Sequence, residues 1–239
     1  MINTIKKILI KNKPKNSFDG IVLKNVSKKY ETELGFKEIL KNVSIKIPYG
    51  KNIGILGVNG AGKSTLLRML GKIDFPTKGK ISSNHSFSWV MGLSGGFQGS
   101  LTGRDNVKFV CRIHGLSEEE IKQKIDFILD FTELGKDFEL PVKTYSNGMK
   151  SKLGFAMSLS IEFDYYLIDE TISVGDVFFK NKCVNAVNEL RKKSNFIVVS
   201  HDMKVLKEMC DVGILLHNQE LILYDSVDEA VENYMKLGK

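Results

Sequence analysis

The stretch from Gly57 to Thr65 reads Gly-Val-Asn-Gly-Ala-Gly-Lys-Ser-Thr and fits the pattern G-x-x-x-x-G-K-[ST]. Its glycines allow backbone amides to turn toward an anion without a Cβ in the way, and a helix that starts here adds its positive N-terminal end. Lys63 is placed to reach the β- and γ-phosphates of a nucleotide, and the Ser64 hydroxyl to ligate the magnesium ion that bridges them. The stretch therefore predicts a phosphate-binding loop.

Strand and helix signals flank this loop, which is the context that the pattern requires. The apolar run from Ile53 to Leu56 predicts a buried strand before the loop, and Ser64 to Leu70 predicts the first turns of a helix after it. A glycine-rich turn with an incidental Lys-Ser pair is the alternative, and both flanking signals oppose it. We expect the nucleotide to contact Gly57, Asn59, Gly60, Ala61, Gly62, Lys63, Ser64 and Thr65.

Two acidic residues, Asp169 and Glu170, follow the apolar run from Tyr165 to Ile168. Because buried parallel strands end at one edge of a sheet, we expect both carboxylates to face the γ-phosphate. Asp169 would hold Mg²⁺, directly or through water, and Glu170 would orient or deprotonate the attacking water. A solvated acidic turn is the alternative, but paired carboxylates at a buried strand end repel each other unless a cation lies there.

Two further side chains are candidates for contact with a bound nucleotide. His201 follows the apolar run from Phe196 to Val199, where it could contact the γ-phosphate and sense its loss. A lone histidine after a strand is more often a simple loop residue. Tyr30 lies between two predicted strands, where its ring could stack on the base. The alternative for Tyr30 is a side chain that packs at a strand end.

Composition and charge narrow the class of protein. The 239 residues are 42% hydrophobic and 26% charged, and no apolar run approaches the roughly 20 residues of a membrane span. Three separated cysteines without a C-x-x-C pair indicate neither a disulfide framework nor a zinc site, which favours a reducing cytoplasm. The net charge is +7, but residues 1–20 hold five lysines and one acid. The remainder is only mildly basic, which argues against a nucleic-acid-binding surface.

The first 20 residues predict a basic N-terminal arm, and residues 21–239 predict a single nucleotide-binding domain. Apolar residues recur at roughly helical spacing among the lysines of the arm until Pro14 interrupts the pattern. A contact with an anionic membrane or a partner is one interpretation of the arm. A solvated tail is the other, since an isolated helix of this length is marginal.

The order of hydropathy patterns predicts an α/β fold. Two antiparallel strands precede the phosphate loop, and short continuous apolar runs after it are typical of buried parallel strands. A helix with Val184, Val187 and Leu190 on its buried face joins two of these runs. A hairpin and a helix at 227–235 follow. Strand signals lie at 21–26, 39–47, 53–56, 81, 87–90, 165–168, 196–199, 212–216 and 221–224.

The middle of the chain, about 93–161, predicts an inserted α-helical subdomain. Ser117 and Glu120 form a capping box that opens one helix, and Gly135 is expected to end it. Ser146 is expected to cap a second helix, whose apolar residues recur on one face.

The phosphate loop, the Asp-Glu pair and the strand-ending histidine occur in this order, with a helical insertion before the Asp-Glu pair. This arrangement resembles the nucleotide-binding subunit of ABC transporters over about residues 21–230. The resemblance implies a P-loop NTPase core of the RecA-like type with an antiparallel β subdomain and the inserted helical subdomain. It also implies that His201 is the switch histidine and that Asp176, in Ser-Val-Gly-Asp, lies in the D-loop at a dimer seam.

By the same resemblance, Tyr145 to Met149 stands at the signature segment of the family and keeps Ser146 and Gly148 of its Ser-Gly-Gly core. Tyr145 and Asn147 replace the usual leucine and first glycine. The sequence Leu-Ser-Gly-Gly at 93–96 spells the signature better but lies too close to the phosphate loop. Gln98 is the only candidate for the metal-sensing glutamine that normally precedes the helical insertion.

A more specific resemblance rests on five segments: Ser88-Trp89, Gly95 to Gly103, Tyr145 to Met149, Tyr166 to Glu170 and Val174 to Asp176. Together they are similar to the ATPase subunits of bacterial capsular-polysaccharide exporters. This resemblance implies ATP and Mg²⁺ as cofactors and a second copy of the chain that completes each ATP site. It further implies an integral membrane permease subunit, a polysaccharide as indirect substrate, and a peripheral location on the cytoplasmic face of the bacterial inner membrane.

Other classes of protein fit the sequence less well. A soluble ABC ATPase that acts on ribosomes or nucleic acid usually carries two cassettes or a long coiled-coil insertion, and neither is present. A structural subunit that senses nucleotide without hydrolysis would be expected to lack Glu170 or His201. A GTPase is disfavoured because no Asn-Lys-x-Asp segment occurs.

Overall fold

A computed structural model describes residues 19–33, 35–91, 97–169 and 177–237 of the chain. The strands are β1 (Gly20–Thr32), β2 (Gly35–Pro48), β3 (Ile53–Leu56), β4 (Lys78–Ser83), β5 (Phe87–Met91), β6 (Tyr165–Asp169), β7 (Asn195–Val199), β8 (Val212–His217) and β9 (Glu220–Tyr224). The helices are α1 (Lys63–Leu70), α2 (Gly103–Ile113), α3 (Glu118–Thr132), α4 (Asn147–Ser160), α5 (Val177–Leu190), α6 (Met203–Met209) and α7 (Val227–Lys236). Short 3₁₀ helices lie at Gly135–Glu139 and Val142–Thr144.

The central sheet has the strand order β5-β6-β7-β3-β8-β9, and only the β8–β9 pair is antiparallel. Every residue of β3 is buried, and the strand pairs with β7 on one side and β8 on the other. Such burial on both faces requires a continuous apolar sequence, which is the pattern of Ile53 to Leu56. The predicted buried strand before the phosphate loop is confirmed.

The two faces of the central sheet bury different side chains. In β6, Tyr165 and Leu167 pack into a core that includes the antiparallel sheet, whereas Tyr166 and Ile168 pack into a core that includes the helical segment. Successive side chains of a strand point to opposite faces, so both cores draw on the same apolar run. The central sheet thereby separates the antiparallel sheet from the helices of the middle segment, as the predicted fold class requires.

The antiparallel sheet has the order β2-β1-β4, and its strands are longer than the hydropathy pattern predicts. The interpretation that Tyr30 lies between two strands is wrong, since it lies within β1 and pairs with Lys37 of β2. The hairpin turns at Gly35, which has a φ of 108°, and its carbonyl accepts a hydrogen bond from Thr32 Oγ1 at 2.7 Å. The residues around Tyr30 are polar, so the hydropathy pattern gives no signal for this part of the strand. Pairing with β2 stabilises it instead.

The capping box at the start of α3 is confirmed, with Ser117 and Glu120 each satisfying a backbone amide of the other residue. The expected end of the helix is wrong. Helix α3 stops at Thr132, and its left-handed C-terminal cap is Glu133, with a φ of 55°, two residues before Gly135. Gly135 instead begins a 3₁₀ helix, which carries Phe138 into the core.

The predicted buried face of α5 is also wrong, because Val184 is 43% exposed. The buried residues are Phe179, Cys183 and Val187, which recur at a spacing of four. Phe179 packs edge-on against Phe131 of α3 with 5.5 Å between ring centroids, and this contact favours the observed rotation of the helix. Val187 lies on both the predicted and the observed buried face.

Within the described residues, no helix combines the length and apolar composition needed to cross a bilayer.

Candidate nucleotide-binding site

The turn from β3 into α1 requires glycine at two positions. Gly57 has a φ of 154°, and a Cβ there would lie 2.6 Å from the carbonyl oxygen of Leu216. Gly62 has a φ of 114°, and a Cβ there would lie 2.2 Å from Ile39 Cγ2. Both the conformation and the close neighbours exclude a side chain, so the loop can follow this path only with glycine.

Helix α1 begins without a side-chain cap, and its first turn holds no acidic residue. By contrast, side-chain oxygens of Thr102, Ser117, Ser146, Asp202 and Ser226 cap α2, α3, α4, α6 and α7. The first backbone N–H groups of a helix have no carbonyl partner within the helix. An anion at the start of α1 would therefore meet these donors and the positive end of the helix dipole.

Lys63 is held close to the loop that precedes it. Its side chain is largely buried, and the ammonium donates hydrogen bonds to the carbonyls of Gly57 at 2.8 Å and Val58 at 3.1 Å. These contacts keep its charge above the loop, where it can bind phosphate oxygens as a point charge.

The loop lies in a pocket of about 320 Å³, a size suited to a small-molecule ligand. The pocket brings together three regions that are distant in the sequence: Tyr30 from β1, the phosphate loop, and His201 after β7. The sequence predicted all three as nucleotide contacts. The lining residues are Tyr30, Lys37, Ile39, Asn59, Gly60, Gly62, Lys63, Ser64, Thr65 and His201.

Asp169 ends β6 at the same edge of the central sheet. It pairs with Val199 of β7, and Val199 in turn pairs with Ile55, close to the end of β3. Among the described residues, Asp169 Oδ1 is buried and has no hydrogen-bond partner. A buried carboxylate oxygen without a donor is costly unless a cation neutralises it, so the Asp169 carboxylate fits a magnesium ion, which prefers oxygen ligands. The Ser64 hydroxyl, which lines the pocket, is the other candidate ligand.

Glu170 and Asp176, the predicted water-activating and D-loop residues, lie outside the described residues. The same is true of the sequence Leu-Ser-Gly-Gly at 93–96. Their assigned roles stay predictions.

Ser146, Gly148 and Gln98 do not line this pocket. Ser146 caps α4 by accepting a hydrogen bond from the Met149 amide at 3.2 Å, which confirms the predicted cap. Gly148 is exposed, and a Cβ there would meet only Ser146 Oγ, at 3.8 Å. The predicted roles of Ser146 and Gly148 at a phosphate and of Gln98 at a metal therefore stay predictions.

The backbone around Gln98 is organised by Asn106, a buried polar residue that sequence reasoning missed. The Gln98 amide donates to Asn106 Oδ1 at 2.8 Å, and Asn106 Nδ2 donates to the carbonyls of Gln98 at 3.1 Å and Thr102 at 2.9 Å. The Gln98 side chain itself is exposed. Sequence analysis also missed Lys37 and Ile39 as lining residues, because only the pairing of β2 with β1 places them beside Tyr30.

Tyr145, which replaces the leucine of the signature segment, is buried with its hydroxyl against the backbone of Gly103. A Cβ at position 103 would lie 2.4 Å from this hydroxyl oxygen and 2.9 Å from Phe138 Cδ2. Burial raises the pKa of the Tyr145 hydroxyl to about 12. The tyrosine is therefore accommodated because residue 103 is glycine.

The parallel sheet, the glycine turn into an uncapped helix, and the carboxylate at the adjacent strand end define a P-loop nucleoside triphosphatase. A family model described as ABC transporter matches residues 40–173, more than half of the chain. The chain belongs to the ABC transporter family and is an ATPase of that family, with ATP and Mg²⁺ as cofactors.

The chain is similar to ATP-binding proteins that are named for polysaccharide transport or export. It is 50% identical, over 90% of its length and 96% of the relative, to the polysialic acid transport ATP-binding protein KpsT of Escherichia coli. It is 45% identical, over 91% of its length and 99% of the relative, to the capsule polysaccharide export ATP-binding protein CtrD of Neisseria meningitidis. These comparisons lend no support to the alternative of a ribosome- or nucleic-acid-directed ATPase.

A solved structure shares the fold. The dimeric structure of MJ0796, a bacterial ABC transporter cassette, superposes with a TM-score of 0.65 at 25% identity, covering 84% of this chain and 96% of that one. The expected class of fold is thus confirmed.

Gly103→Ala should lower the free energy of unfolding by about 1–3 kcal/mol, because the added methyl group overlaps the Tyr145 hydroxyl. In the Tyr145→Phe background the same substitution should cost less, since one of the two close neighbours is removed. Chemical denaturation of the single and double variants measures this coupling. Gly99→Ala is the matched control, because its Cβ would make only ordinary contacts with Lys143 at 3.5 Å. Equal costs of Gly103→Ala in both backgrounds would contradict the assigned contact.

Proposed function

We propose that this chain is the ATP-hydrolysing subunit of an ABC exporter that moves capsular or related cell-surface polysaccharide across the cytoplasmic membrane. One observation carries the proposal: the uncapped α1, the buried Lys63 and His201 converge on one pocket. They do so in a chain that is 50% identical to a polysialic acid transport ATP-binding protein over 90% of its length. The geometry of the site supports nucleotide hydrolysis, and the similarity to these relatives supports a polysaccharide as the exported substrate.

The predicted site residues have proposed roles in nucleotide binding and hydrolysis. Lys63 and the amides of α1 bind the β- and γ-phosphates, and Tyr30 stacks on the base. Ser64 and Asp169 hold magnesium, which neutralises charge on the phosphate oxygens when bound. Glu170, the next residue in the sequence after Asp169, orients or deprotonates the attacking water. His201 contacts the γ-phosphate, so it can respond to the loss of that group.

The exposed start of α4 supports a site completed by a second copy of the chain. Ser146 and Gly148 are exposed and do not line the pocket that holds Lys63. A phosphate contact from these residues is therefore more easily made to a nucleotide on another copy than to their own. Two copies facing each other would enclose two ATP molecules, with Asp176 near the seam between them.

A separate membrane subunit would receive the force that is produced when two copies close around ATP. A permease subunit would provide the path for the polysaccharide, as the family resemblance implies. We propose that it docks near Trp89 to Gly103, between the central sheet and the helical subdomain at about 93–161, and that the chain works at the cytoplasmic face of the inner membrane. The N-terminal arm at 1–20 lies before the single domain at 21–239 and is assigned no nucleotide contact.

Lys63→Ala should lower the rate of ATP hydrolysis by roughly 10² or more, because a charge-assisted phosphate contact is lost. The measurement is steady-state phosphate release, with circular dichroism to show that the fold is intact. Lys122→Ala, on the exposed side of α3, is the matched control and should keep the parent rate. Normal turnover of the Lys63 variant would contradict the phosphate-loop assignment.

Glu170→Gln should preserve ATP binding but stall hydrolysis, since the amide cannot polarise water as a carboxylate does. ATP would then accumulate between two copies, and the variant should elute as a dimer with ATP and as a monomer with ADP. Light scattering after gel filtration measures both states. Adding Ser146→Arg should abolish the dimer by placing bulk where the opposite γ-phosphate approaches. A dimer that persists unaltered in this double variant would remove Tyr145 to Met149 from the interface.

Polysaccharide export can be tested in the organism that encodes this protein. Replacing the gene by one encoding Lys63→Ala should remove polysaccharide from the cell surface and raise its amount in the cytoplasm. Quantitative sugar analysis of both fractions measures the change, and the Lys122→Ala gene is the control. An unchanged surface polysaccharide combined with a disturbed ribosome profile would favour the alternative class, a soluble ABC ATPase that acts on ribosomes.

A further inference from the structure

The hydroxyl of Tyr30 is held by two residues that lie outside the β1–β2 hairpin. It donates a hydrogen bond to Asp74 Oδ2 at 2.5 Å and accepts one from Arg68 Nη2 at 3.1 Å. Arg68 lies in the last turn of α1, and Asp74 lies in the segment between α1 and β4.

Asp74 is itself fixed by further contacts. Its Oδ1 accepts hydrogen bonds from Lys28 Nζ at 2.6 Å and from the Phe75 amide at 2.7 Å. The Lys28 ammonium, whose side chain is 10% exposed, also donates to the Phe75 carbonyl at 2.8 Å. Both oxygens of the carboxylate are thus engaged, one by Tyr30 and the other by Lys28 and the backbone.

The charge of this carboxylate is maintained by its neighbours. Partial burial acts to raise the pKa of Asp74, but the hydrogen bonds from Lys28 and Tyr30 outweigh it and lower the pKa below its usual range. A charged acceptor forms stronger hydrogen bonds than a neutral one, so the Tyr30 hydroxyl is anchored firmly at neutral pH.

The same contacts leave one ring face of Tyr30 for a ligand. The Lys28 ammonium lies over the ring at 4.6 Å from its centroid, so a base could stack only on the other face. Arg68 also donates to Thr65 Oγ1 at 3.4 Å, and Thr65 lines the pocket beside Lys63. The contacts therefore run from Lys28 and Asp74 through Tyr30 and Arg68 to the phosphate loop.

We propose that Asp74 is a positioning residue for nucleotide binding: together with Lys28 and Arg68 it fixes the ring of Tyr30 so that one face receives the base. The inference rests on the proposed stacking role of Tyr30. Since the side chain of Tyr30 is anchored before a ligand arrives, less conformational entropy is lost on binding. Asp74 touches no phosphate, so it acts on affinity for the base-bearing ligand and leaves the chemical step unchanged.

The test compares two ligands that share their phosphates. Asp74→Ala and Tyr30→Phe should each weaken the binding of ATP by about 2- to 10-fold, the range expected for a partly lost aromatic stacking contact. Neither variant should change the affinity for inorganic tripolyphosphate, which has no base. Their effects should not add in the double variant, because both remove the same contact. Isothermal titration calorimetry with both ligands in magnesium buffer gives the dissociation constants, and kcat of Asp74→Ala at saturating ATP should stay at the parent value.

Controls separate this contact from a general loss of structure. Asp74→Asn keeps an acceptor oxygen for the Tyr30 hydroxyl, so its ATP affinity should exceed that of Asp74→Ala, and it also serves if the alanine variant fails to fold. Glu118→Ala removes an exposed acid that pairs with Arg112 at 3.0 Å in the helical subdomain, and should change neither affinity.

The outcomes also distinguish the inference from the proposed function on which it rests. If Tyr30→Ala leaves ATP affinity unchanged, the stacking role of Tyr30 is wrong and the inference fails with it. If Tyr30→Ala weakens ATP binding but the Asp74 variants do not, only the positioning role of Asp74 is overturned. If the Asp74 variants weaken ATP and tripolyphosphate binding equally, Asp74 supports the fold around the phosphate loop and the inference is again overturned.

Discussion

The glycine turn between β3 and α1 is the constraint on which the site depends. The turn must leave a strand buried on both faces and enter a helix within a few residues, while Leu216 and Ile39 occupy the space beside it. Only a backbone without side chains at Gly57 and Gly62 meets both conditions. The same path leaves the first amides of α1 without a side-chain cap. The need for glycine in the turn and the capacity to bind an anion therefore have one origin.

The central sheet then decides what surrounds this turn. The parallel order β6-β7-β3 brings Asp169 and His201 to the edge where the loop opens, although they are far from it in the sequence. Strand β1 of the antiparallel sheet contributes Tyr30 to the same pocket. The phosphate end of the pocket thus depends on parallel register, and the base end depends on the contacts of Tyr30 with Asp74 and Arg68.

The helical segment contributes to a different surface. Helix α4 starts with Ser146 as its cap and presents Gly148 to solvent, outside the pocket of the same chain. Tyr145 anchors this start against Gly103, at the beginning of α2. Backbone hydrogen bonds from Val142 to Leu101 and from Lys143 to Gly99 join the two segments further. These contacts join the loop before α2 to the segment that we propose contacts a neighbouring copy.

The sequence by itself determined the phosphate loop, the buried strand before it, the Asp169 position and the caps at Ser117 and Ser146, because each depends on residues close together in the chain. It misplaced the end of α3, where Glu133 takes the left-handed position, and the face of α5, where the contact of Phe179 with Phe131 competes with local periodicity. Only the tertiary structure showed the extension of β1 through Tyr30 and the contacts of Asp74. Hairpin pairing with β2 holds the first of these features, and ion pairs between distant segments hold the second. Hydropathy along the chain does not record either.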